Sequence, residues 1–282
     1  MFDDIPLEQP FEFSKHTTIG CGGRAKQAFY PRDEDQLCAL VARFGKQALI
    51  LGNGSNILPR DEDTDKRVIC TKKMTGIRIT PKGIYVEAGE SSGRLIQWMQ
   101  SMGYSGVEFL AGIPCTLGGI LFMNGGAGGQ YIVQTLHSVR IYREGGIIDL
   151  PISECGYGYK ESVFMQTGDV ILGGVLRLAT STPQKVKEET QKWLAKRAHL
   201  PKGKSMGCVF KNPPNHTAGK LIEEAGLKGL RVGGAVVSNQ HANFIINDNG
   251  ATAKDICILI AQIKEKVWQR YAIRLEEEIR YL

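Results

Sequence analysis

Two glycine-rich loops constrain this chain more than any other feature. Gly52-Asn53-Gly54-Ser55-Asn56 follows the apolar run Ala48–Leu51, and Ala111-Gly112-Ile113-Pro114-Cys115-Thr116-Leu117-Gly118-Gly119 lies near the middle of the sequence. Glycine lets the backbone turn outward and lets successive N–H groups approach an anion closely. A third element is Gly207-Cys208-Val209-Phe210-Lys211-Asn212-Pro213, which places a thiol in a glycine turn beside a lysine and an asparagine. Together they imply a bound dinucleotide facing a reactive side chain.

The segments around the loops set the fold class. A helix is predicted over 33–45, with Asp33 as cap, Gln36 at capping-box spacing and Leu37, Leu40, Val41 and Phe44 on one face. After the first loop comes 59–63, Pro-Arg-Asp-Glu-Asp, which is charged and irregular. A Rossmann unit opens a helix at its glycine loop, and this one does not. Short strands are predicted at 84–88, 139–142 and Val170–Leu176. One helix, Ser92–Met102, interrupts them, with Leu95, Trp98, Met99 and Met102 as its apolar stripe and Gly103 as its stop. The composition shifts at Ser181-Thr182-Pro183. Beyond it lie a charged helix over 183–199, a helix near 218–225, strands at 234–237 and 243–246, and a long helix over 252–271.

Composition narrows the function classes. The 282 residues are 42% hydrophobic and 23% charged, ordinary for a globular protein with two or three compact units. No apolar run reaches the ~20 residues that span a bilayer, and the acidic start Met1-Phe2-Asp3-Asp4 has no signal-peptide core. A net charge of +6 suits small anionic ligands, while the scattered lysines and arginines argue against nucleic acid. Seven cysteines without a CxxC pair fit neither a zinc cluster nor a disulfide framework. Reduced thiols and a cytoplasmic location follow, and no metal is expected.

Chemistry can reside at few places. Cys208 is either a buried apolar filler or a proton donor or nucleophile, and donation is the easier role because a free thiol of pKa ~8.5 is mostly protonated at neutral pH. Glu278 and Arg280 alternate around Ile279, which puts both on one face of a short strand, although charge runs at chain ends are usually solvated. Cys155-Gly156-Tyr157-Gly158-Tyr159-Lys160-Glu161-Ser162 offers several donors to a carboxylate or phosphate, and Lys204 sits in a basic Pro-Lys-Gly-Lys-Ser stretch. His241-Ala242-Asn243-Phe244 is a polar pair entering a strand. On the residues alone, an oxidoreductase using a bound dinucleotide on an alcohol or sugar and a non-catalytic nucleotide-binding module both remain open.

Taken in order, these segments resemble the UDP-N-acetylenolpyruvoylglucosamine reductase family. The resemblance runs from Thr17-Thr18-Ile19-Gly20-Cys21-Gly22-Gly23 through both glycine loops, Asn124-Gly125-Gly126-Ala127 and 207–213. It continues through 218–229 and 241–247 to Glu278-Ile279-Arg280. The short spacing between Lys160 and Cys208 is that of the type II branch. The resemblance implies an α+β protein with a two-lobed FAD-binding fold of the vanillyl-alcohol-oxidase (PCMH) type. Its lobes would be 1–75 and 76–181, followed by a C-terminal α+β substrate-binding domain over 182–282. It implies NADPH as reductant, a UDP-sugar carrying an enolpyruvyl ether as substrate, and a monomer without nucleic-acid or membrane partners.

Residue roles follow from the same resemblance. Gly52, Asn53, Gly54, Ser55 and Asn56, with Gly112, Ile113, Pro114, Thr116, Gly118 and Gly119, would hold FAD. Cys208 takes the proton-donor position where the family usually has serine. Glu278 takes the acidic position, and Lys160 replaces an arginine that polarises the substrate carboxylate. Tyr159, Lys204, Lys211, Asn212 and Arg280 would contact substrate. Lysine is a point charge where arginine grips bidentately, and Cys115 stands where glycine is usual.

Overall fold

The computed structural model describes residues 4–282; Met1, Phe2 and Asp3, which open the acidic start, lie outside the described residues. The chain divides into two compact units, each assembled from separated stretches. The first comprises the N-terminal stretch ending at Glu8, residues 27–53 and residues 67–198. The second comprises residues 9–26, 54–66 and 199–282. Both mix helix and strand, in keeping with the α+β reading.

The first unit is built on an antiparallel sheet ordered Gly146–Pro151, Leu136–Arg143, Val170–Leu176, Gly83–Glu87, Ile77–Thr80. Val170–Leu176 is central and buried at every position, which accounts for its unbroken apolar run. Gly173 in it admits no side chain, since a Cβ there would lie 2.5 Å from Tyr85 Oη and from the Val86 carbonyl. The helix Ser92–Met102 starts where Ser91 Oγ accepts the Arg94 N–H and stops at left-handed Gly103. It buries Leu95, Ile96 and Met99 among Phe109, Leu121, Leu136 and Val139; of the expected stripe, Trp98 is half-buried and Met102 exposed. The helix Pro183–Arg197 belongs to this unit and buries Val186 and Trp193. A second apolar cluster gathers Phe29, Leu37, Leu40, Ile69, Met74 and Leu172 around the helix Glu34–Phe44. The strand Ala48–Leu51 runs parallel to 67–70 and delivers the chain to the first glycine loop.

The second unit has a four-stranded antiparallel sheet ordered Ser205–Cys208, Phe244–Asn247, Ala235–Val237, Arg231–Val232. The helix Ala253–Tyr271 lays Ile256, Ile260, Ile263 and Val267 on one core with Leu221, Ile222, Val237 and Ile245, as its i, i+4, i+7 spacing requires. Ile19, Cys21 and Leu58, far off in sequence, enter the same core. The C-terminal strand Arg280–Tyr281 pairs in parallel with Ile57–Leu58. Among the described residues no helix is long and apolar enough to cross a membrane.

Candidate active site

Within the first unit Gly52 and Asn53, which open the first glycine loop, meet the second. Asn53 Nδ2 donates to the Pro114 carbonyl at 2.8 Å. A Cβ on Gly52 would come 2.3 Å from Thr116 Oγ1, so glycine is what permits this approach. Gly112 is left-handed (φ 74°), and a Cβ there would meet Leu194 and the Arg197 guanidinium nitrogen Nε at 3.3 and 3.5 Å. The last turn of the helix Pro183–Arg197 thus lies against this loop and brings it a cation.

The second loop is held by the junction between the strand read at 84–88 and the helix Ser92–Met102. Gly118 N–H donates to the Ala88 carbonyl and Leu117 N–H to the Glu90 carbonyl, both at 2.8 Å. Ser92 N–H donates to the Cys115 carbonyl at 3.1 Å, and Ser92 Oγ to the Ile113 carbonyl at 2.6 Å. Residues 88–92 therefore act as a partner strand for 113–118. Ile113 and Gly118 have their N–H groups engaged inside the protein, Ile113 with the Leu110 carbonyl. Gly118 serves close packing instead: a Cβ there would be 3.1 Å from Ala88 Cβ. Cys115 points into the core, and burial pushes its thiol up to about 12 despite the opposing Ser92 hydrogen bond.

Thr116 Oγ1 is buried with no hydrogen-bond partner among the described residues. A buried hydroxyl left so costs roughly 1–3 kcal/mol, which marks a place where an external group completes the bonding. A side-chain-free approach at Gly52, an orphaned hydroxyl and a guanidinium against Gly112 make a polar cradle that fits the pyrophosphate of a dinucleotide.

Tyr159 and Lys160, also in the first unit, form the tip of a tight turn. Gly158 N–H donates to the Glu161 carbonyl at 3.1 Å and Glu161 N–H returns the bond at 3.4 Å. Asn124 Nδ2 anchors the Gly158 carbonyl at 2.8 Å, and Ser162 Oγ donates to the Phe122 carbonyl at 2.6 Å. Lys160 itself is left-handed (φ 58°), a conformation that strains a residue with a Cβ. Tyr159 is exposed and meets Tyr131 edge-on.

The second unit holds the other candidates. Cys208, expected in a turn, closes the strand Ser205–Cys208, in register with Phe244. The register slips between Ser205 and Cys208, where Gly207 is left-handed (φ 75°), so the glycine makes a bulge rather than a turn. Next along the chain, Val209–Lys211 pairs with Glu276–Glu278. Glu278 N–H donates to the Val209 carbonyl and Lys211 N–H to the Glu276 carbonyl, both at 2.8 Å, with Phe210 opposite Glu277. Cys208 and Glu278 are thereby carried on two hydrogen-bonded segments.

Asn56 ties the first loop to this pair. Its Nδ2 donates to the Glu278 carbonyl at 3.1 Å, and its carbonyl accepts the Arg280 N–H at 2.9 Å. Gly54 is left-handed (φ 63°) and its carbonyl accepts the Thr18 N–H; Ser55 follows it, partly buried. The Lys204 stem packs so closely that a Cβ on Gly20 would be 2.8 Å from its Cδ. Lys211 Nζ bonds Glu276 Oε1 at 2.6 Å, and Asn212 Oδ1 accepts the Ala218 N–H at 2.9 Å. Burial favours the neutral acid at Glu277, but bonds from Lys264 and Tyr281 outweigh it and hold the carboxyl below its ordinary value. Among the described residues no group of three or more His, Cys, Asp or Glu could hold a metal ion.

These features define a flavin-dependent oxidoreductase: residues 25–150 match the FAD binding domain. Residues 198–282 match the C-terminal domain of UDP-N-acetylenolpyruvoylglucosamine reductase. The chain belongs to the UDP-N-acetylenolpyruvoylglucosamine reductase family. It is 37% identical to the Geobacter metallireducens enzyme of that name, over 98% of this chain and 93% of the relative. It is likewise 37% identical to the Streptococcus pneumoniae enzyme, over 99% and 94%. The crystal structure of the Thermus caldophilus enzyme matches with a TM-score of 0.86 and 33% identity, covering 98% of this chain and 99% of that one.

Proposed function

We propose that this chain reduces the enolpyruvyl ether of UDP-N-acetylglucosamine enolpyruvate to UDP-N-acetylmuramate, a step of peptidoglycan synthesis, with NADPH as reductant. The observation that supports this reading is the hydrogen-bonded pairing of Val209–Lys211, which directly follows Cys208, with Glu276–Glu278 in the second unit. FAD, which Gly52, Asn53, Gly112 and Thr116 would hold, would supply the hydride for this reduction at the expense of NADPH.

The remaining roles belong to this chain. Gly52 and Asn53, with Gly112 and Thr116 Oγ1 of the second loop, would cradle the pyrophosphate. Lys160, with Tyr159, holds the substrate carboxylate and stabilises the charge that develops as the double bond is reduced. Cys208 gives its proton to the carbanion carbon, leaving a thiolate that solvent reprotonates. Glu278, on the neighbouring segment, takes the acidic position that helps to stabilise the intermediate by donating a hydrogen bond or to protonate it. Lys204, Lys211, Asn212 and Arg280 contact the sugar nucleotide. We place the protein in the cytoplasm as a monomer.

Anaerobic stopped flow tests the reading. NADPH should bleach the yellow protein, and the enolpyruvyl sugar nucleotide should then restore the flavin absorbance rapidly. Cys208→Ala should leave the bleaching step within about twofold and slow the restoring step ~10²–10⁴-fold, the usual loss when a general acid is removed. Cys208→Ser should retain much of the rate, since a hydroxyl still donates. A wild-type flavin that bleaches and stays reduced until air is admitted would overturn the substrate assignment.

A further inference from the structure

Asn243 is buried, and its carboxamide makes the two bonds a neighbouring strand would otherwise make to Phe210. Its Oδ1 accepts the Phe210 N–H at 2.9 Å and its Nδ2 donates to the Phe210 carbonyl at 2.8 Å. Its main-chain carbonyl accepts the Val209 N–H at 2.9 Å. One asparagine therefore fixes two consecutive residues immediately after Cys208. It also directly precedes Phe244, the residue in register with Cys208.

The other edge of the same segment is bonded to the C-terminus. Val209 accepts from Glu278 and Lys211 donates to Glu276, so Phe210 is held by Asn243 on one side while its neighbours hold 276–278 on the other. The register slip at Gly207 interrupts regular pairing between Ser205–Cys208 and Phe244–Asn247 at this point. Without a substitute, Phe210 would be left with unmet backbone groups in the core. The carboxamide is that substitute. The main-chain N–H of Asn243 is held as well, donating to His241 Nδ1 at 3.3 Å. Burial, reinforced by His199, keeps His241 below the ordinary imidazole value and hence able to accept.

We infer that Asn243 is a positioning residue for the reduction: its side-chain clamp on Phe210 sets the spacing between the Cys208 thiol and the Glu278 carboxyl. This rests on the roles proposed above for those two residues. Asn243 touches neither substrate nor cofactor in this reading; it acts through the segment that carries Cys208. Truncation frees Phe210, lets Val209–Lys211 shift, and loosens Glu278 with it.

Asn243→Ala is the main variant. Asn243→Asp, which preserves shape and the acceptor for Phe210 N–H, is the milder one should the alanine chain fail to fold. Amide hydrogen exchange on the cofactor-free protein reads the clamp directly. Exchange should rise at least tenfold at Phe210 and at Glu278 and stay unchanged across Val170–Leu176 in the other unit. In the holoenzyme, bleaching by NADPH should stay within twofold while restoration by the sugar nucleotide slows tenfold or more. In a Cys208→Ala background the Asn243 change should add less than twofold, because residues acting as one device are not additive.

Faster exchange at Phe210 alone, or an equal slowing of both steps, would overturn the inference and leave Asn243 a residue of stability only. If neither Cys208→Ala nor Glu278→Gln slows restoration, the proposed roles fall first and the positioning role falls with them. If either slows it and Asn243→Ala does not, only the positioning role falls.

Discussion

Thr116 offers a way to separate cofactor binding from protein stability at one side chain. Its hydroxyl is buried and unpartnered in the protein alone, so it costs stability there and returns it only when a ligand bonds to it. Thr116→Val should therefore leave the melting temperature of the FAD-free protein unchanged or higher. Calorimetric titration should find FAD bound about tenfold more weakly, the equivalent of ~1.4 kcal/mol. A lower melting temperature with unchanged affinity would place the hydroxyl in a structural role. Lys160 allows a parallel separation. At φ 58° its backbone is strained, and glycine accepts that conformation freely. Lys160→Gly should stay within about 1 kcal/mol of wild-type stability by urea titration, because strain relief offsets the added freedom of the unfolded chain. Its KM for the sugar nucleotide should rise at least tenfold through loss of the cation. A variant destabilised in step with its activity would show that the side chain serves the fold.

Local elements were legible in the sequence because their signals are local. Asp33, Ser91, Thr182 and Thr252 each accept a backbone N–H at the start of a helix, and Gly103 ends one in the left-handed region. Cys208 was misplaced in a turn because Gly207 signals φ > 0 equally well for a turn and a bulge, and only the long-range pairing with Phe244 decides. Asp61 shows the same limit. Its stretch is charged and irregular and carries no local helix signal, yet its carboxylate accepts the Ala253 and Lys254 N–H groups at 2.7 and 2.9 Å and caps the long helix from far upstream. Asp61→Ala should cost about 1–2 kcal/mol in urea titration, the range of a lost N-cap with its charge at the helix dipole. The pair Arg143–Asp169 gives a pH prediction. Two bonds at 2.8 Å from Arg143 hold the Asp169 carboxyl below its ordinary value. Just below pH ~4 the unfolded chain then binds a proton that the folded chain does not. The pair's stabilisation is complete above that pH and is lost as pH falls through the depressed value. Asp169→Asn should be less stable at pH 7, and its urea midpoint should fall less steeply with acid below pH ~4. An unchanged acid slope would show that the pair does not govern acid sensitivity.

At the scale of the whole molecule, the second unit is interleaved along the chain, and no local pattern announces this. Residues 198–282 match a C-terminal domain as one block, but the folded unit also requires 9–26 and 54–66. Ile19, Cys21 and Leu58 lie in its core, and burying Ile19 and Leu58 is worth roughly 1.5–3 kcal/mol each. Ser205 N–H donates to the Thr18 carbonyl, Asn247 Nδ2 to the Ile19 carbonyl and Arg280 N–H to the Asn56 carbonyl, at 3.0, 2.9 and 2.9 Å. Asp61 caps the long helix. Removing the two upstream segments deletes all of these together and leaves the cavity and the unmet polar groups behind. The sum is comparable with the ~5–15 kcal/mol that stabilises an entire domain. A peptide of residues 199–282 should therefore show no cooperative urea transition and a collapsed spread of amide proton shifts. Supplying 9–26 and 54–66 in a linked chain should restore both. A cooperative transition in the isolated peptide would mean that the sheet and the Ala253–Tyr271 helix suffice alone. The upstream segments would then matter only for setting Asn56 against Glu278.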